Sequence, residues 1–164
     1  MGPKGQGAPP LFLVLDFGPC HLNKDVVEYL KHREYEAEMA FPNRPLEAIE
    51  HWHAHVYYDL EKTKDVAAGL REKIVEEFPD TTMGRWHDEI VGPHLVSMYQ
   101  VAFEVDQFDR LVQWLAVNRD GLNVLVHPHT ENAYNDHLIF GFWLGDKLPL
   151  DEERLIRMAD RASR

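Results

Sequence analysis

The stretch that decides the fold is GRWHDEIVGPHLVSMYQVAF, which runs from Gly84 to Phe103. Its two flanks are rich in aromatic and apolar residues with partial alternation, as is typical of β-strands. Its centre contains a Gly-Pro pair, which is typical of a tight connection. The stretch therefore predicts two strands, Thr82 to Trp86 and Leu95 to Phe103, joined by a turn that carries His87 and His94.

A strand and a helix are predicted before this pair. Residues Trp52 to Tyr58 alternate between two faces, so they predict a first strand. A helix is then predicted from about Glu61 to Phe78, because four apolar residues recur at every fourth position. These residues are Val66, Leu70, Ile74 and Phe78.

A second helix and two further strands are predicted after the pair. Asp106 is expected to cap the helix and Gly121 to end it. The next strand is predicted at Leu122 to His127, and a fifth at Leu138 to Leu144 after a loop. A terminal helix capped by Asp151 completes the pattern.

The order of the first six elements is β-α-β-β-α-β, which is the pattern of ferredoxin-like sheets. We therefore predict an α+β fold: a ferredoxin-like sandwich with an antiparallel sheet, an extra C-terminal strand and helix, and an N-terminal extension. The extension is predicted over residues 1–48 and the ferredoxin-like domain over residues 49–164. Within the extension we expect a strand at Leu11 to Asp16, a helix from Asn23 to about Ala37, and a disordered start of about ten residues.

Composition limits the classes of function. The chain has 164 residues and a formal net charge of −11, which disfavours nucleic-acid or anionic-membrane partners. It has no apolar run near the roughly 20 residues that a membrane span requires. Its single cysteine, Cys20, cannot form an internal disulfide, which favours a reducing compartment and a cytoplasmic protein.

Ten histidines are the unusual feature of the composition, and most fall in three runs. One run is the opening stretch; the others are HWHAHVYYD (His51 to Asp59) and NVLVHPHTENAYNDH (Asn123 to His137). With strands in the order 4-1-3-2, and the third parallel to the first, we expect the three runs to meet at one end of the sheet.

Side-chain alternation along the strands assigns residues to the two faces of the sheet. The helix side is predicted to hold Ala54, Val56, Leu95, Tyr99, Val101, Phe103, Val124 and Val126, and the opposite side His53, His55, Tyr57, His94, Met98, Gln100, Leu125 and His127. The second face suits either a pocket or a dimer interface.

The histidine face predicts a metal site. Neutral imidazoles bind borderline divalent ions, and two histidines with one carboxylate form the open-sided set of non-haem Fe(II) oxygenases. The predicted metal ligands are His55, His94, His127 and Glu89. The other carboxylates within reach along the sequence are Asp88, Glu131 and Asp136.

The residues around this site are predicted to act on the substrate. His53 suits either a ligand or an acid–base role, and the remaining histidines are candidates for acid–base catalysis near neutral pH. The predicted catalytic residues are His53, His87, His137 and Tyr57, where the tyrosine hydrogen-bonds a phenolate or an oxygen species. No organic cofactor is predicted.

Five motifs resemble the DOPA 4,5-dioxygenase family over about Trp52 to Gly145. They are HAHVYYD at His53, GRWHDEIVGPH at Gly84, MYQVAF at Met98, NVLVHPHT at Asn123 and DHLIFGFWLG at Asp136. The resemblance implies extradiol cleavage of a catechol by dioxygen with non-haem iron, on a ferredoxin-like fold that commonly dimerises. The histidines that it matches are His53, His55, His87, His94, His127 and His137. The chain departs from the family pattern at Glu131 to Asn135 and at His129, which has no clear counterpart.

The leading hypothesis is therefore an Fe(II)-dependent extradiol dioxygenase, with Zn(II) as a substitute metal, that acts on a catechol such as DOPA and forms a homodimer. Two alternatives stay open. One is a dimer that binds a metal or a small molecule without turnover. The other is an aromatic oxygenase or isomerase that works without a metal.

Overall fold

The computed structural model describes residues 44–162. Its strands are β1 (His51–Tyr57), β2 (Thr82–His87), β3 (Met98–Phe103), β4 (Val124–His129) and β5 (Phe142–Leu144). Its helices are α1 (Lys64–Glu77), α2 (Phe108–Asn118), α3 (Ala133–Leu138) and α4 (Glu152–Ala162). The strand and helix predicted in the N-terminal extension lie outside the described residues. Within the described range no helix is long and apolar enough to cross a membrane.

The five strands form one sheet in the order β2-β3-β1-β4-β5. Each neighbouring pair is antiparallel. The first four strands therefore have the predicted 4-1-3-2 order, and the short β5 extends the sheet beside β4. The predicted α+β fold, a ferredoxin-like sandwich with an additional C-terminal strand and helix, is confirmed.

The predicted direction of the third strand is wrong. Strand β3 runs antiparallel to β1, with Tyr57 opposite Met98 and Trp52 opposite Phe103. The connections explain this direction. Helix α1 carries the chain back along the sheet, so β2 runs parallel to β1, and the β2–β3 turn then reverses the chain, so β3 runs antiparallel to both. The β2–β3 turn therefore lies near the end of β1, whereas His129 lies beside its start. The histidine runs come from both ends of the sheet and meet across one of its faces.

The other face of the sheet carries the core under α1 and α2. Strand residues such as Val56, Val101 and Val124 are fully buried there and pack with Leu70 of α1 and Leu115 of α2. Burying each of these aliphatic side chains contributes about 1.5–3 kcal/mol to stability. Side-chain alternation therefore assigns the core of the strands correctly.

Two apolar residues in the predicted strand and helix patterns are not buried. Leu95 is 41% exposed because β3 begins only at Met98, so the strand alternation does not extend back to residue 95. Val66 is 37% exposed, and Ala67 of α1 takes the buried position. The helix starts later than predicted because Asp59 Oδ1 accepts the backbone N–H groups of Glu61 and Lys62, which form a separate turn.

The segment after β4 contains a helix where the sequence predicts a loop and the start of a strand. The side chain of Asn132 accepts the backbone N–H of Asn135 at 3.0 Å and so caps α3. The apolar residues from Leu138 onward continue the end of α3 rather than start a strand, and β5 is limited to Phe142–Leu144. The helix brings His137 back over the sheet.

Candidate functional site

A cavity of about 510 Å³ opens on the face of the sheet opposite α1 and α2. Its floor is formed by the outward-facing side chains of the central strands. The β2–β3 connection, α3 and Met158 of α4 form its walls. The histidines that line it are His53, His55, His87, His94, His127 and His129, together with His137.

Strands β1 and β4 place the deepest imidazoles of the cavity. His53 lies opposite His127 in the antiparallel register, and His55 follows two residues later on the same face. The Nε2 atoms of His55 and His127 are 3.0 Å apart, and their rings are stacked. Only 3% of His55 and 1% of His127 is exposed. Two strands thus hold a fixed pair of imidazoles beneath the cavity.

His94 reaches the same place from the β2–β3 connection. Its backbone forms an isolated β-bridge with Leu150, and the neighbouring Pro93 carbonyl accepts the backbone N–H of Asp151 at 2.8 Å. These contacts fold the connection across the sheet, so that the His94 ring lies 4.1 Å from the His55 ring between centroids. The Tyr57 hydroxyl is 2.7 Å from His94 Nδ1 and fixes the ring orientation.

His137 closes the cluster from α3. Its Nδ1 donates to the Ala133 carbonyl at 2.9 Å, because a carbonyl can only accept. His127 Nδ1 likewise donates to the Pro128 carbonyl at 2.7 Å. In the neutral form, each of these two rings therefore keeps a lone pair on Nε2. A backbone carbonyl that fixes the tautomer in this way is the usual partner of a metal-binding histidine.

The buried imidazoles are held neutral. Burial, together with the charges of neighbouring histidines, lowers the pKa of His127 to about 2 and that of His94 to about 3. Burial, followed by the charges of His94 and His127, also places the pKa of His55 well below its usual range. Burial lowers the pKa of His137, although the hydrogen bond to the Ala133 carbonyl acts to raise it. Neutral rings are the form that binds a metal.

The donor atoms fit a divalent transition metal. The cluster contains two overlapping triplets, His53–His55–His127 and His55–His94–His137, and the nitrogens of each triplet lie within 4.8 Å of one another. His55 belongs to both triplets, and its Nδ1 is buried without a hydrogen-bond partner among the described residues. Such an atom requires an explanation, and a bound cation supplies one. Imidazole ligands suit iron, zinc, copper and nickel.

The predicted carboxylate is not among these donors. Glu89 lies exposed in the β2–β3 connection and belongs to neither triplet. Asp136 is 2% exposed and lines the cavity, but its two oxygens accept hydrogen bonds from the backbone N–H and the hydroxyl of Thr130. Asp88 is bound to Tyr58 and Lys64. In the part of the chain that the structure describes, both buried triplets consist of imidazoles alone.

The remaining predicted residues lie around the cluster. His53 is half-buried in the cavity, and its Nε2 is 3.0 Å from Nε2 of His51. Burial and the charges of neighbouring histidines lower the pKa of His53 to about 3. His87 also lines the cavity. The structure therefore brings all the predicted site residues to the cavity except Glu89 and Tyr57, and Tyr57 contacts the cluster through the His94 ring.

Three residues beside the cavity are not among the predicted site residues. His51, which the motifs do not include, stacks on His129, with ring centroids 4.4 Å apart. Glu50 lies 3.2 Å from His129 Nδ1. Alternation along β1 places His51 on the face of His53, and that signal was available in the sequence.

The family of the chain follows from comparison with known proteins. The model of the Dopa 4,5-dioxygenase family matches residues 52–154, which include every predicted site residue. The chain belongs to this family. Its predicted membership is confirmed, and the site therefore lies in a dioxygenase-type domain.

Three relatives illustrate the range of the family. The chain is 45% identical to a "putative dioxygenase" of Nostoc punctiforme, whose crystal structure matches with a TM-score of 0.67 over 71% of this chain and 98% of that one. It is 37% identical to an uncharacterized 21.2 kDa protein of Botryotinia fuckeliana over 59% of this chain and 58% of that protein. It is 29% identical to the DOPA 4,5-dioxygenase of Amanita muscaria over 63% of this chain. The match spans only 48% of the Amanita enzyme.

Proposed function

We propose that this protein is a non-haem Fe(II)-dependent extradiol dioxygenase that cleaves the ring of a catechol such as DOPA. The observation that supports the proposal is the buried set of neutral imidazoles around His55, on the floor of a cavity of about 510 Å³. A cavity of this size accommodates an aromatic ring with a side chain. The family membership of the chain agrees with this chemistry.

The proposed metal ligands are His55, His94 and His127. His55 belongs to both buried triplets, while His127 belongs to one and His94 to the other, together with His137. Bound iron would supply the activation of dioxygen for ring cleavage, a reaction in which both oxygen atoms enter the product and no external reductant is consumed. Tyr57 and the carbonyls of Ala133 and Pro128 keep three of these rings in position through their Nδ1 atoms. Such supporting bonds typically contribute 10–100-fold to metal affinity or activity.

His53 is the proposed acceptor of the phenolic proton. It is half-buried in the cavity and neutral, so one ring nitrogen has a lone pair. When Nε2–H of His53 donates to His51 Nε2, its Nδ1 is the nitrogen left to accept the proton. His87, which also lines the cavity, is proposed to contact the substrate.

The apolar walls position the ring. Met98 and Pro93 are buried, and Val91 and Met158 lie at the outer part of the cavity. Side chains of this type pack against an aromatic face and displace water from it. The polar groups of the substrate are thereby left to the imidazoles.

The test is anaerobic reconstitution with Fe(II), followed by a panel of catechols, an oxygen electrode and absorbance of the yellow ring-opened product. We expect His55→Ala, His94→Ala and His127→Ala each to lose bound iron and oxygen consumption. Glu89→Gln is the matched control for the predicted carboxylate, and we expect it to keep both because Glu89 is exposed.

Three outcomes would contradict the proposal. Iron bound without oxygen consumption on every catechol would indicate a binding protein without turnover. Turnover that survives the double variant His55→Ala/His94→Ala would indicate a reaction without a metal. Loss of iron in Glu89→Gln would mean that Glu89 is a metal ligand, and the all-imidazole ligand set would then be wrong.

A further inference from the structure

Three residues at the edge of the cavity form a cluster that the proposed reaction does not use as a metal site. Glu50 immediately precedes β1, His51 is the first residue of β1 and His129 is the last residue of β4. His51 and His129 lie directly opposite each other in the antiparallel register. The backbone N–H of Glu50 donates to the His129 carbonyl at 3.0 Å, so the two strand ends are held together. We call these three residues the rim cluster.

The side chains of the rim cluster converge as well as the backbones. The rings of His51 and His129 are stacked at an interplanar angle of 13°. His129 Nδ1 lies 3.2 Å from Glu50 Oε2. One donor atom from each of the three residues lies within 4.8 Å of the other two. The sheet therefore fixes this arrangement before any ion binds, which reduces the ordering cost of binding.

We propose that the rim cluster binds a second divalent ion of the borderline class, represented by Zn(II). Two imidazoles and one carboxylate are a donor set that zinc accepts, and water completes its coordination where the site is open. The site is open to solvent, because the side chain of Glu50 is 68% exposed and that of His129 is 42% exposed. An ion can therefore enter and exchange here without passing through the deep cavity.

The rim cluster differs in its donors from the buried triplets around His55. It contains a carboxylate, whereas the buried triplets contain only imidazoles. It shares no residue with them, although His51 contacts His53 through Nε2. The second ion therefore shares no ligand with the proposed iron site.

The test is to count the Zn(II) ions bound to metal-free protein by native mass spectrometry and by elemental analysis after gel filtration. We expect His129→Gln and Glu50→Gln each to bind one ion fewer than the wild type. Glu47→Gln is the matched control, because it removes the same charge from an exposed carboxylate three residues away. It should bind as many ions as the wild type.

A second substitution separates this proposal from the proposed function. His55→Ala should also bind one ion fewer, and His55→Ala/His129→Gln two fewer. If the deep site does not bind metal, His55→Ala will match the wild type while His129→Gln still loses one ion. The rim site is overturned if both His129→Gln and Glu50→Gln, folded as judged by circular dichroism, bind as many ions as the wild type.

Discussion

The two faces of the central sheet contain the same strands but opposite chemistry. Along β1, Ala54 and Val56 point to the helices and are fully buried among apolar side chains. His53 and His55 point to the cavity and lie among other imidazoles. Alternation with a period of two thus separates the residues that stabilise the fold from those that would perform chemistry. A substitution on the helix side of a strand should therefore affect mainly stability, and one on the cavity side mainly function.

The largest effect on function is expected for His55→Ala. It removes the imidazole shared by both triplets, so we expect oxygen consumption to fall more than about 100-fold, or about 2.7 kcal/mol in transition-state free energy. The free energy of unfolding should fall by only about 1–2 kcal/mol, because the cost of leaving His127 Nε2 without its partner is partly offset by removal of a buried Nδ1 that has none. Oxygen-electrode assays and urea denaturation measure the two quantities. A large loss of stability would show that this face is also structural core.

The neighbouring substitution Val56→Ala should show the reverse. It removes two buried methyl groups on the helix side, at a cost of about 2 kcal/mol in the free energy of unfolding. The iron content and turnover of the folded fraction should stay near those of the wild type. Urea denaturation with iron analysis of the same sample measures both. Iron loss without a loss of stability would contradict the separation of the two faces.

A smaller effect is expected for Tyr57→Phe, which keeps the ring and removes the hydroxyl that contacts His94 Nδ1 at 2.7 Å. Because the hydrogen bond orients His94, its loss should weaken iron binding by about 10-fold, at the lower end for supporting partners of metal ligands. Competition with a chelator measures the iron affinity. A Tyr57→Phe variant with wild-type affinity would show that packing alone holds His94.

Local patterns in the sequence predicted much of the fold and most of the residues at the site. Strand alternation assigned Val56 to the core and His55 to the opposite face, because that period depends only on the backbone. The direction of β3 was mistaken, yet the histidines still meet. His94 crosses the sheet through backbone contacts with residues near Leu150, which are 56 positions away and leave no local signal. Helix α3 was missed for a similar reason, because its Asn132 cap lies in a stretch of polar residues that also suits a loop.

The smallest effect on stability is expected at Leu95, which lies before the start of β3, where the strand alternation does not apply. The predicted strand alternation places Leu95 on the helix side of the sheet, but it is 41% exposed and precedes β3. Leu95→Ala should therefore change the free energy of unfolding by less than about 0.5 kcal/mol, as at other exposed positions. Leu115→Ala in α2 is the matched comparison, because this leucine is fully buried and its loss should cost about 2–5 kcal/mol. Urea denaturation of both variants would decide the point. A cost at Leu95 approaching that at Leu115 would contradict the exposure of the β2–β3 connection at this position.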